Sequence, residues 1–149
     1  MFVHRNIANQ ASADLNFLSV LHYAVEVLDV AHVVVCGHYH CGGVGAALED
    51  EDYGVVNHWI SGLRALRRRH HNELEAIPDH PGRIRRLVEL NVREQIHNLV
   101  LNQIIVRAWE RGKRPLLHGV VFDLSTGLLN ELVTGIDSPD LAQAYTHEQ

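Results

Sequence analysis

The sequence predicts an α/β domain: a mostly parallel central sheet flanked by helices. Three observations carry that prediction. His32-Val33-Val34-Val35-Cys36 is a compact β-branched run, the pattern of a strand buried on both faces of a sheet. The stretches on either side repeat apolar residues every three or four positions, which marks helices with one buried face. A second β-like run, Leu116 to Phe122, follows the longest helical stretch, and helices alternating with β-rich runs define this class.

Taken in order, Phe2-Val3-His4 is a short apolar start, expected as a strand. Ser12 is the expected cap of the first helix, with Asp14 in its first turn where the helix dipole favours an acid. Leu15, Leu18, Leu21, Val25 and Leu28 form its buried face. Residues 32 to 36 are expected as an interior strand, ended by Gly37, and Val44 to Leu48 as the opening of a helix. The acidic stretch 49 to 54 ends in Gly54 and is expected as a loop. Val56, Trp59, Ile60, Leu63 and Leu66 give another helical stripe, broken between Pro78 and Pro81. From Ile84 through Leu87, Val88, Val92, Ile96, Leu99, Val100 and Ile104 the helical period continues. Residues 83 to 110 are therefore expected to be mostly helix, with Gly112 as its stop. Asp123 to Gly127 is expected as a turn, Leu128 to Val133 as the returning strand of a hairpin, and the tail from Ser138 as a last short helix.

The chain of 149 residues suits a single domain, 1–149, with a sizeable core. Its formal charge is −5, which argues against nucleic acid as a partner. Arg64, Arg67, Arg68, Arg69, Arg83, Arg85 and Arg86 form a basic region without interleaved aromatics, so it reads as a solvated helix face. No run of 18 apolar residues is present, so no membrane span is expected. The first residues lack the basic leader and apolar stretch of a signal peptide, and a cytoplasmic location is expected. Most of the 12 histidines stand alone and read as surface or capped residues. His70-His71 occupy adjacent helix positions, which face apart, and are expected to be exposed. Trp59 and Trp109 lie on apolar stripes and read as packing residues. Cys36 and Cys41 read as free or metal-bound thiols rather than a disulfide.

Chemistry concentrates in Cys36-Gly37-His38-Tyr39-His40-Cys41-Gly42-Gly43, at the kind of strand end where α/β folds bind ligands. The two-residue gap between His38 and Cys41 lets one loop offer both side chains to one metal. Zinc accepts imidazole nitrogen at about 2.0–2.1 Å and thiolate sulfur at about 2.3 Å. A helix starting just after Cys41 would aim its positive end at the sulfur and favour the thiolate. Gly42 and Gly43 let backbone approach closely and leave amide groups free for an anion. A His-x-x-Cys pair alone also arises as core packing, and a catalytic zinc needs about three protein ligands. His40 points differently along the loop, and Cys36, inside the strand end, reads as a small core residue.

Together, Val35 to Gly43 resemble the second zinc motif of β-class carbonic anhydrases. Phe2-Val3-His4-Arg5-Asn6-Ile7-Ala8-Asn9 is similar to the segment between that family's two zinc motifs. Leu15-Asn16 through Val27, Glu89-Leu90-Asn91-Val92 with Glu94-Gln95, Trp109-Glu110-Arg111-Gly112 and His118-Gly119 continue the resemblance in order. It is nearest to the bacterial branch regulated by bicarbonate. The resemblance implies a zinc enzyme that reversibly hydrates carbon dioxide to bicarbonate and a proton. Zinc lowers the pKa of bound water to about 7, and the resulting hydroxide attacks carbon dioxide. His38 and Cys41 match two of the family's three protein ligands, and Gly42 and Gly43 match substrate-side backbone. A homodimer or homotetramer is implied, since family members build their sites at a dimer interface.

Two departures stand out. The family's third ligand, and the Asp-Arg pair that orients the metal-bound water, come from an earlier Cys-x-Asp-x-Arg motif on a central strand. No Cys precedes Cys36, so those catalytic roles are not assignable, and a central strand is expected to be missing. A fragment, or a reading frame begun at an internal methionine, is the expected explanation; a natural short form is the alternative. Phe122 stands where the bicarbonate-regulated branch has tyrosine, near an arginine matched by Arg5. The ring is kept and the hydroxyl donor lost. Weighed against the enzyme are a zinc-binding or structural relative without turnover and, more weakly, a thiol-redox role.

Overall fold

The structure is a computed structural model and describes residues 1–112 and 114–139. After a short 3-10 turn at Ile7–Asn9 come α1 (Leu15–His22), which runs on into a π-type turn Tyr23–Val27, and β1 (His32–His38). Then follow α2 (Gly42–Leu48), α3 (Val56–Trp59), α4 (Ser61–Arg69), α5 (His71–Glu75), α6 (His80–Val100) and α7 (Gln103–Glu110). Strands β2 (Leu116–Asp123) and β3 (Leu128–Ile136) close the described fold. The expected terminal helix falls mostly outside the described residues.

The α/β class stands, and the sheet is mixed. Its order is β1-β2-β3; β1 lies parallel to β2 with His32 opposite Leu116 and His38 opposite Phe122. β3 returns antiparallel as the expected hairpin, through a turn in which Gly127 takes φ 72°. The expected interior place of residues 32 to 36 is corrected: among the described residues β1 pairs on one side only. Burial on both faces is corrected too. Val33, Val35 and Gly37 turn inward while His32, Val34, Cys36 and His38 are exposed. A strand alternates its side chains between two faces, and α6 packs on one of them.

α6 lies close to the sheet because two glycines permit it. A Cβ at Gly37 would stand 2.7 Å from Val92 Cγ2, and one at Gly119 would stand 2.9 Å from Val92 Cγ1. Neither glycine has positive φ, so close approach is the requirement they meet. Leu87, Val88, Leu90, Val92, Ile96, Leu99 and Val100 of α6 are buried, together with Leu117 and Val121 of β2 and Ile136 of β3.

Several local expectations change. Phe2–His4 is not a strand. Asp14, not Ser12, caps α1 by accepting from the Phe17 N–H at 3.0 Å, and Ser12 donates to the Asp14 carboxylate. Leu21 and Val25 are buried as expected, whereas Leu15 and Leu28 are exposed. Gly37 does not end β1, which runs on to His38. The 83–110 stretch is helical except at Leu101–Asn102, where Asn102 caps α7 by accepting from Ile104 N–H. Gly112, with φ 68°, ends α7 as expected. Trp59 and Trp109 pack against the core, and each also donates an indole N–H, to the Ile7 and Pro115 carbonyls. The basic region is tied by acids: Arg67 pairs with Asp50, Arg69 with Glu94, Arg83 with Glu75, and Arg86 with Glu73 and Glu89. His70 is half-buried against Glu73 at 3.0 Å rather than exposed, while His71 is exposed.

Candidate metal centre

β1 delivers His38 as its last residue, and Cys41 is the N-cap of α2. Between them Tyr39 is buried and His40 is exposed, with left-handed backbone at φ 61°. That reversal breaks the strand and lets the chain enter α2. Cys41 is buried, and its carbonyl accepts from Gly45 N–H at 2.9 Å. His38 is exposed, and its Nδ1 lies 3.0 Å from the Tyr39 carbonyl oxygen. A carbonyl only accepts, so Nδ1 carries the proton and the Nε2 lone pair is left for a ligand.

Gly42 has open space where a Cβ would stand, consistent with room for a small ligand. Gly43 is different: its Cβ would meet Ile7 Cγ2 at 2.6 Å, so this glycine admits the N-terminal segment against α2. That segment is fastened from three sides. Asn91 donates to the Ala8 carbonyl at 2.9 Å, Gln95 accepts from Ala11 N–H at 2.9 Å, and Gln10 donates to the Trp59 carbonyl at 2.9 Å. Ala8 and Asn9 both take positive φ there. Asn9 Nδ2 is buried without a partner, and Asn9 Oδ1 lies against Gly37.

Cys36 is not the core residue expected. It is exposed on the face of β1 turned away from α6. Surrounding protein atoms nonetheless desolvate its thiol and push its pKa up, which makes it a poor nucleophile and weakens the thiol-redox reading. Arg5 is exposed in the N-terminal segment. Phe122 is half-buried near the end of β2, where its carbonyl accepts from Tyr39 N–H at 3.0 Å.

The donor chemistry of His38 and Cys41, one imidazole nitrogen and one sulfur, fits zinc. Among the described residues no three His, Cys, Asp or Glu side chains are grouped to hold a metal, so the fit is that of a partial ligand set. Sequence reading missed two supports of this loop. Tyr39 donates to Glu89 Oε1 at 2.9 Å, and the Arg85 guanidinium lies 3.8 Å from the centre of the Tyr39 ring. No local pattern joins positions fifty residues apart; the matched helix segment beginning at Glu89 was the only available hint.

Comparison with known proteins agrees with this picture. The carbonic anhydrase family model matches residues 1–129. A carbonic anhydrase of Emericella nidulans is 46% identical over 142 residues, covering 95% of this chain and 61% of its own length. A tetrameric β-carbonic anhydrase of Sordaria macrospora superposes with a TM-score of 0.85 at 44% identity, over 91% of this chain and 69% of that one. The Coccomyxa β-carbonic anhydrase in complex with acetazolamide gives a TM-score of 0.91 at 38% identity, over 96% and 65% of the two chains. This chain thus spans about three fifths of its Emericella relative. With the family model matched over residues 1–129 and β-carbonic anhydrase structures superposing at 38–44% identity, the chain belongs to the β-carbonic anhydrase family.

Proposed function

We propose that this chain carries part of the zinc site of a carbonic anhydrase, and that the protein reversibly hydrates carbon dioxide to bicarbonate and a proton. The supporting observation is the state of His38: its Nδ1–H is engaged by the Tyr39 carbonyl at 3.0 Å, three residues before the Cys41 thiol. A metal-binding histidine is ordinarily held in this way through its other nitrogen. His38 Nε2 and Cys41 Sγ would hold the ion. Zinc, when bound, supplies a Lewis acid that acidifies water. Gly42 leaves space beside Cys41 for a small anion, and Gly43 fixes the start of α2 against Ile7. The third ligand and the Asp-Arg pair are not assigned to residues of this chain.

Zinc titration of the chain, combined with a carbon dioxide hydration assay, tests this reading. Zinc binding lost in both His38→Ala and Cys41→Ser supports it; binding unaffected by both overturns it. A second reading, zinc binding without turnover, is favoured by the partial ligand set among the described residues. Zinc bound at His38 and Cys41 with no hydration above background is its outcome.

Assembly and regulation belong to the same proposal. The first segment, α1 and the π-type turn with the residue after it expose Phe2, Val3, Ile7, Leu15, Val27 and Leu28, and apolar exposure of this kind supports a homodimer or a homotetramer. A monomer by light scattering at micromolar concentration would contradict it. A bicarbonate site at Arg5 is proposed to be weakened by Phe122. A cytoplasmic location is part of the proposal, and no described helix is long and apolar enough to cross a membrane.

A further inference from the structure

Tyr39 lies between the two proposed ligands and is held more firmly than either. We infer that Tyr39 is a positioning residue for His38, acting through its bond to Glu89 on α6; the inference rests on the zinc reading of His38 and Cys41.

Three attachments fix Tyr39 from different directions. Its hydroxyl donates to Glu89 Oε1 at 2.9 Å, its ring lies under the Arg85 guanidinium at 3.8 Å, and its N–H donates to the Phe122 carbonyl at 3.0 Å. The side chain is only 3% exposed. One backbone group then remains, the carbonyl, and it accepts from His38 Nδ1 at 3.0 Å. Whatever orients the Tyr39 peptide therefore selects the His38 tautomer and the direction of Nε2.

Glu89 is itself anchored. Arg86 Nη1 stands 3.1 Å from Glu89 Oε2, and Arg86 also binds Glu73, which bonds His70 at 3.0 Å. The chain of contacts runs from α5 through α6 to the imidazole. The following residue, His40, needs such support: a left-handed non-glycine backbone persists only where its surroundings over-determine it. Removing the Tyr39 hydroxyl keeps the packing and releases the loop from α6 at one point. The Tyr39 peptide can then rotate, and His38 loses its preference for the Nδ1–H form.

A merely structural Tyr39 would change stability and leave the His38 tautomer alone, which separates the two ideas. The experiment uses the 149-residue chain labelled with nitrogen-15 histidine. Ring nitrogen shifts of His38 are read without metal, and zinc affinity is then measured for wild type, Tyr39→Phe and His38→Ala. The expected result is a single Nδ1–H tautomer in wild type, a mixture in Tyr39→Phe, and zinc binding weakened about tenfold, the lower end for partners outside the ligand set. An unchanged tautomer and unchanged zinc affinity in Tyr39→Phe, with affinity lost in His38→Ala, overturns the inference. Affinity unchanged in His38→Ala instead overturns the zinc reading, and the tautomer spectra alone then decide the positioning. If Tyr39→Phe does not fold, Glu89→Gln and Glu89→Ala take its place. Gln keeps an acceptor for the hydroxyl and should bind zinc more tightly than Ala; equal affinities overturn the inference.

Discussion

Gly37→Ala measures how closely α6 rests on the sheet. The new Cβ would stand 2.7 Å from Val92 Cγ2, with Asn9 Oδ1 at 3.4 Å and Val88 Cγ1 at 3.5 Å. Carbon atoms in favourable contact sit at about 3.5–4.0 Å, so Val92 or the whole helix must retreat by about 0.8 Å. Val92 is fully buried, and a β-branched side chain in a helix has one strongly preferred rotamer, so retreat is not free. Overpacking of this kind costs about 1–3 kcal/mol. Val92→Ala removes the opposing methyl groups and alone costs about 2 kcal/mol in lost burial and cavity. In the double variant the methyl introduced at position 37 enters space that Val92 has vacated. Its loss should therefore fall short of the sum of the single losses by about 1–2 kcal/mol. Urea unfolding of the four proteins by circular dichroism, with unchanged m-values, reads this directly. Additivity within about 0.5 kcal/mol would refute the close approach.

Three further outcomes are expected. Zinc binding by the chain should be weak and should fall in acid, because metal ligands bind in their deprotonated forms, with Cys41→Ser abolishing it; isothermal titration of zinc into both proteins at neutral and at acidic pH checks both. In a protein carrying the whole active site, Phe122→Tyr should strengthen bicarbonate inhibition about ten- to hundredfold, the equivalent of one hydrogen bond to a charged group at about 1.5–3 kcal/mol; an unchanged inhibition curve counts against a site at Arg5. His118 is pushed below the ordinary histidine range by desolvation and then by His32, whose Nδ1 is 3.0 Å from His118 Nε2, while Glu131 acts the other way. A depressed folded pKa means that the unfolded chain takes up its proton first. The His118 contribution is therefore intact above about pH 6.5 and is lost as pH falls below that toward the folded value. Urea midpoints compared across that window should drop less in His118→Gln than in wild type.

What the sequence made legible, and what it did not, divides along physical lines. Helical periods and the two β-like runs were readable because each is local: the helical stretch from 83 to 110 follows from its period apart from the break at Leu101–Asn102, and β2 follows from its β-like composition. The place of β1 was not. Val33, Val34 and Val35 are equally apolar, so composition could not tell which faces meet a neighbour; α6 covers the side of Val33 and Val35, and Val34 is 53% exposed. Parity offered a signal that was not used. With Val35 inward, Cys36 one step on had to face away, and so did His38. At the head of α1, Ser12 and Asp14 are both good caps, and the choice falls to whichever side chain reaches Phe17 N–H. His38 and Cys41 were legible because a metal motif is written in spacing. Tyr39, Glu89 and Arg85 were not, because their meeting is a product of the tertiary fold.

A strand that reads as interior but pairs on one side exposes both a row of backbone groups and the apolar side chain of Val34, which edge strands ordinarily avoid by carrying charge or proline. Residues 32 to 37 carry no such protection, only His32, three valines, Cys36 and Gly37. The composition of β1 is thus matched to a strand with neighbours on both sides and cover on both faces. Among the described residues its observed setting supplies one neighbouring strand, with α6 packed on one face. The inward half of the strand explains Gly37, Val35 and the seat of Val92. The outward half, from His32 to His38, is where the proposed metal ligand emerges, and its chemistry depends on whatever meets that face in the working protein.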